Sequence, residues 1–249
     1  GKPWTGPHVE YFGDGQVKVG RRLAIKILNA SRFALGFGEG SLTVDPSAIT
    51  HPLDLSLLSR LADLVQDATN AFDDFDYARA IERTESFFWS FTDDYVELVK
   101  VRAYEGDDLG AESARNALRL TLSVLLRLFA PFLPFVTEEV WSWWKSGSVH
   151  RQQWPSSSDL RSVAQGTESE IVAVASDALA EIRKCKTLAK RSLATPVVSC
   201  SITDTPERLS LLREALDDVT FGAKASEIIL REGNELAVEV ELEAVNDPD

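Results

Sequence analysis

The 249-residue sequence contains no methionine, two cysteines and three histidines. Cys185 and Cys200 belong to no C-x-x-C pair and lie far from any histidine at metal-ligand spacing, so both are expected to be reduced thiols. His8, His51 and His150 are too scattered to form a zinc site. The longest apolar run, Leu120 to Val136, is interrupted by Arg127, Pro131 and Pro134. It falls short of the ~18–20 unbroken apolar residues that a spanning helix needs, so no membrane partner is expected. Gly1 to Glu10 has no apolar stretch behind a basic start, which excludes a secretory signal in this segment and points to the cytoplasm. An opening on Gly1 with no methionine anywhere fits a piece cut from a longer protein. The sequence also lacks a Gly-rich phosphate loop opening a helix and any nucleophile–base or metal pattern, so a stand-alone enzyme is the weakest reading and no catalytic residue is named.

What is present is a packable composition, 44% hydrophobic and 26% charged, enough for two modest domains. The net charge of −13 argues against a general nucleic-acid binder, but the charge is uneven. Acid is concentrated in Asp54–Asp76, Asp93–Asp108, Asp204–Asp218 and from Arg231 to the end. Gln16–Phe33 and Arg183–Arg191 each hold five Lys or Arg and no acid. A local basic stripe of this kind can attract phosphate on an otherwise acidic molecule.

Residues 1–15 read as an irregular lead-in, punctuated by Gly6-Pro7 and Gly13-Asp14-Gly15. Apolar spacing predicts helices over 16–37, 53–72, 77–102, 111–132 and 136–145, with short polar connections. That pattern predicts a mainly α fold, an antiparallel helical bundle over residues 16–158. Beyond Ser156-Ser157-Ser158 the character changes to a small α+β appendage, residues 159–249. Helices are expected over 168–191 and 206–217, and strands over 196–202, 227–230 and 236–240. The last two strands, separated by Gly233-Asn234, read as a hairpin.

The first helix carries the informative chemistry. At ~100° per residue, Lys18, Arg21, Arg22, Lys26, Asn29, Arg32 and Phe33 fall within an arc of about 140°. Val17, Leu23, Ala24, Ile27, Leu28, Ala30, Ala34 and Leu35 fill the other side, and Ile25 alone breaks the pattern. The cations lack the i,i+4 acidic partners of an ordinary solvated helix. Unpaired RNA bases are read by stacking on aromatic or Arg planes and by hydrogen bonds from amide and cationic groups. An amide and a phenyl ring inside a basic stripe supply that chemistry. A plain solvated face, with Phe33 packed on a neighbouring helix, remains open on these residues alone.

Three blocks add a family resemblance. The run Asp14 to Phe33, with Lys26 followed by Asn29-Ala30-Ser31-Arg32-Phe33, resembles the start of the anticodon-binding domain of class I aminoacyl-tRNA synthetases, the valyl enzymes most closely. Pro131-Phe132-Leu133-Pro134-Phe135-Val136-Thr137-Glu138-Glu139-Val140-Trp141 is similar to their P-F-x-T-E-E-x-W segment, and Gly147-Ser148-Val149-His150 with Trp154-Pro155 to the close of the same domain. Together these span residues 14–155. From 160 on the likeness is weak and limited to the Ile182-Arg183…Lys186 run. The resemblance implies recognition of the anticodon region of tRNA(Val) by a segment that makes and breaks no bond. Lys26, Asn29, Arg32 and Phe33 would contact the anticodon, and Gln16, Lys18 and Arg22 the backbone. ATP and Mg would serve a catalytic domain carrying the HIGH and KMSKS signatures, which this sequence lacks; that domain and tRNA(Val) are the expected partners of a monomer, and no cofactor is expected in this segment. The family's tRNA-contacting coiled-coil tail is not visible. The same module from an isoleucyl- or leucyl-type synthetase, or a helical protein-interaction scaffold, stands as the alternative.

Other residues have blander readings. Phe87, Phe88, Trp89 and Phe91 are expected in the core rather than on a stacking platform. At least one of Trp141, Trp143 and Trp144 must be partly exposed, Glu138 and Glu139 would stabilise a helix N-terminus, and His150 would fix its loop. Arg183, Lys184, Lys186, Lys190 and Arg191 form either an RNA-backbone contact or a solvated face.

Overall fold

The computed structural model describes residues 14–36 and 42–243, with side chains left undescribed at 14–17 and 19. Most of the lead-in 1–15, the Gly38-Gly40 end of the first helix and the last acidic residues lie outside the described residues, as does the side chain of Gln16. The described part is mainly α, a helical bundle followed by a small three-stranded appendage, as the periodicity predicts.

Helix α1 (Asp14–Leu35) packs on α5 (Leu109–Phe129) and α6 (Pro134–Ser142) through Leu23, Ile27, Ser31 and Ala34. The remaining bundle helices are α2 (Pro52–Asp73), α3 (Tyr77–Ser90), α4 (Val96–Glu105) and a short α7 (Ser157–Val163). Their starts follow from local chemistry. Asp76 and Asp108 accept hydrogen bonds from the amides of Arg79 and Ala111, and Pro52 and Pro134 occupy first-turn positions where the missing N–H costs nothing. α3 and α4 form one helical run interrupted by a π turn, Phe91–Tyr95, which keeps Phe91 and Tyr95 stacked and buried. Phe88 meets Phe129 edge-on at 5.6 Å across the core.

Beyond the bundle, α8 (Ile171–Leu188) lies against α2 and α4. It carries β1 (Val197–Asp204), α9 (Pro206–Arg213), α10 (Leu216–Ala223), β2 (Ile228–Glu232) and β3 (Ala237–Leu242). The expected hairpin does not form. The strand order is β2-β1-β3, with β1 parallel to β2 and antiparallel to β3. Residues 233–236 cross over the end of β1 instead, a gap of ~10 Å that four extended residues can bridge. Gly233 is required by this crossing rather than by a tight turn. Its N–H donates to the Asp204 carbonyl at 2.9 Å, and a Cβ there would stand 2.4 Å from Thr203 Cγ2. Among the described residues no helix is long and apolar enough to cross a membrane.

A buried polar cluster joins the appendage to the bundle. Arg102 on α4 donates Nη1 and Nη2 to the two carboxylate oxygens of Asp54 at 2.9 and 2.8 Å. Its Nε and Nη2 donate to Asp218 on α10 at 2.8 and 3.1 Å. Asp54 also accepts from Tyr95 Oη at 2.7 Å and from Ser113 Oγ at 2.6 Å, so its buried charge is fully partnered. Burial works against the Arg102 charge, but the hydrogen bonds and charge of Asp54, then of Asp218, outweigh it and raise its pKa. Burial first, then the adjacent Asp54 charge, pushes the Tyr95 phenol well above its usual range.

Candidate nucleic-acid interface

The outward face of α1 carries the sequence-derived candidates, in three different situations. Lys18, Arg22 and Asn29 are exposed, as is Arg21 beside them, and none of the four makes an ion pair among the described residues. Arg32 is exposed with its guanidinium 5.8 Å from the ring centroid of Trp143, just past the end of α6. Phe33 is half-buried and packs against the core. Gln16 belongs to α1, but its side chain is outside the described residues. Ile25, the residue that breaks the wheel, is exposed on the same helix.

Lys26 differs from the other cations. Its Nζ is 2.7 Å from Asp93 Oδ1, in the π turn, and 5.5 Å from the ring centroid of Trp89. Trp89 is half-buried, not a core residue, whereas Phe88 and Phe91 are fully enclosed. Two indole rings, Trp89 and Trp143, thus flank α1, each beneath a cation of its polar face. Sequence reasoning missed these flanking groups. A lysine without an i,i+4 acid signals only that its partner, if any, is tertiary.

Among the described residues the arrangement offers cations without an ion-pair partner, an exposed amide, a half-buried phenylalanine and no acid–base or nucleophile pair. It can attract a polyanion and stack or hydrogen-bond an unpaired base. Residues 54–200 match the family described as the anticodon-binding domain of tRNA ligase. The chain belongs to that family. The matched span begins in the first turn of α2 and leaves α1 outside it, and the relatives carry the likeness over more of the chain. The valine–tRNA ligase of Cutibacterium acnes is 48% identical over 235 residues, 93% of this chain and 26% of that protein. The valine–tRNA ligase of Thermobifida fusca is 48% identical over 229 residues, covering 91% of this chain and 26% of its own length. That of Salinispora tropica is 51% identical over 207 residues, 77% of this chain and 24% of its own. The chain spans about a quarter of the length of these curated relatives.

Elsewhere in the anticodon-binding domain, the resembling motifs have structural work. Glu138 accepts from Ser148 Oγ at 2.9 Å and from the Val149 amide at 3.0 Å, fixing the loop after α6; Glu139 accepts from Trp143 Nε1 at 3.0 Å. α6 starts at Pro134, so neither carboxylate lies in its first turn, and these contacts rather than a helix dipole account for both. His150 Nε2 lies 3.2 Å from the Pro134 carbonyl, tying the same loop down. The second basic segment is not one stripe. Arg183 pairs with Glu97 and Lys184 with Glu181, Arg191 donates to the Glu243 carbonyl, and Lys186 is buried.

Proposed function

We propose that this chain recognises the anticodon region of tRNA(Val) as part of a valine–tRNA ligase, with α1 as its reading surface. The observation that carries the site is the split on α1. Leu23, Ile27, Ser31 and Ala34 are buried, while Lys18, Arg21, Arg22, Asn29 and Arg32 are exposed around a half-buried Phe33. Lys18 and Arg22, with Gln16, serve the phosphate backbone, and Lys26, Asn29, Arg32 and Phe33 serve the anticodon bases. The choice of valine rests on the relatives, which are named as valine–tRNA ligases. On this reading residues 16–158 are the tRNA-reading bundle and 159–243 its brace. ATP and Mg²⁺ then act in a catalytic domain of the same protein in the cytoplasm, and the protein works as a monomer. Among the described residues no group of three or more His, Cys, Asp or Glu is placed to hold a metal.

Filter binding of a tRNA(Val) transcript tests the reading. Phe33→Ala is expected to weaken binding by ~1–3 kcal/mol if its ring stacks a base. Arg32→Ala should weaken it by a comparable amount, and a transcript with a substituted anticodon should bind worse than the native one. Unchanged affinity in both variants would remove α1 as the reading surface.

A further inference from the structure

Among the cations of α1, Lys26 alone is held by both a carboxylate and an aromatic ring among the described residues. Each holding group is itself fixed. The Thr92 hydroxyl lies 3.2 Å from both Asp93 Oδ1 and the Trp89 carbonyl, with one proton to share between them, and the Trp89 indole donates Nε1–H to Glu85 at 3.1 Å. Asp93 lies within the π turn that interrupts the α3–α4 run, a geometry that is rare and concentrated at functional positions.

Stability does not explain this clamp. The two side chains are 34% and 54% exposed, and a pair so solvated contributes little to folding. α1 is already held by its buried face. What the clamp does is fix the end of a long, flexible side chain. An ammonium has three N–H donors. One is committed to Asp93, and the other two remain, two helical turns from Phe33 on the same face. The pair also cancels the Lys26 charge, leaving long-range attraction to Lys18, Arg21, Arg22 and Arg32.

We propose that Asp93 is a positioning residue for RNA recognition: it holds Lys26 over the Trp89 ring so that its free N–H donors meet the edge of an unpaired base beside Phe33. The inference rests on α1 being the RNA-reading surface. Ordering Lys26 in the free protein removes part of the entropic cost of binding, and a charge-neutralised donor discriminates bases better than it grips phosphate.

The test is a double-substitution cycle in the whole chain: wild type, Asp93→Asn, Lys26→Met and the pair. Each is titrated with a tRNA(Val) transcript and with one carrying a substituted anticodon base. Electrostatics alone predicts that removing an acid from a protein of net charge −13 tightens RNA binding. Positioning predicts the opposite: Asp93→Asn weakens native binding about tenfold, the effect of one lost base contact. It also narrows the ratio between native and substituted transcripts, and neither effect recurs in the Lys26→Met background. Tighter or unchanged binding by Asp93→Asn, or the same loss with and without Lys26, overturns the inference while leaving the α1 reading intact. A wild-type chain that shows no preference for the native transcript overturns both.

Discussion

Lys26 and Lys186 put the same ammonium group into opposite surroundings, and each has a different consequence. Lys186 is 1% exposed, with Nζ donating to the carbonyls of Leu193 at 3.1 Å and Ala223 at 2.7 Å and, among the described residues, no ion pair to a carboxylate. Burial, helped by the charges of Lys224 and Arg183, lowers its pKa. A neutral amine still has two N–H groups for those two carbonyls, so deprotonation leaves the contacts intact. Because the folded pKa lies below the unfolded value, the unfolded chain binds the proton more tightly, and folding gains stability as pH rises toward 10.5. Urea melts of wild type and Lys186→Met at increasing alkaline pH should show the wild type gaining on the variant; a pH-independent difference would contradict this. At the same scale, burial and then the neighbouring Cys185 push the Cys200 thiol up to about 11, whereas Cys185 is half-buried. Iodoacetamide at neutral pH, read by mass spectrometry, should label Cys185 well before Cys200.

At the scale of elements, the most consequential contact is the one that no linear pattern announces. Arg102, Asp54 and Asp218 come from α4, α2 and α10, up to 164 residues apart in sequence (218 − 54). Removing the arginine leaves two buried carboxylates uncompensated, so Arg102→Met should destabilise the fold by ~3–5 kcal/mol in denaturant melts. A loss below ~1 kcal/mol would mean that the cluster is not a stabilising joint. Gly233→Ala should cost ~1–3 kcal/mol, because its Cβ meets Thr203 where the chain crosses β1. Helix existence was legible in the spacing of apolar residues, as were the bundle-then-appendage order and the buried face of α1. The strand pairing was not, since Gly233-Asn234 fits both a two-residue turn and a close crossing, and only tertiary packing on β1 decides between them. The π turn was invisible for a related reason: Phe91 and Tyr95 keep a helical apolar spacing through it. On α1, the candidate residues could be read from the wheel, but their division into free and clamped cations depends on Asp93, Trp89 and Trp143, which only the folded chain brings near.

For the whole molecule, the sign of the net charge is misleading about function. A chain of −13 carries a basic face on one helix, while four of the five cations of its second basic segment, all but Lys190, are taken up by pairing, a carbonyl contact and burial. RNA binding should therefore depend on few cations, and its salt dependence should be set by their number. The slope of log Kd against log salt concentration for a tRNA(Val) transcript measures this directly, in the wild type and in a Lys18→Ala, Arg21→Ala, Arg22→Ala triple variant. Each phosphate contact contributes about 0.7–0.9 to that slope, so the triple variant should lose about two units and bind more weakly at every salt concentration. A triple variant with the wild-type slope and affinity would contradict the assignment of RNA recognition to this face of α1.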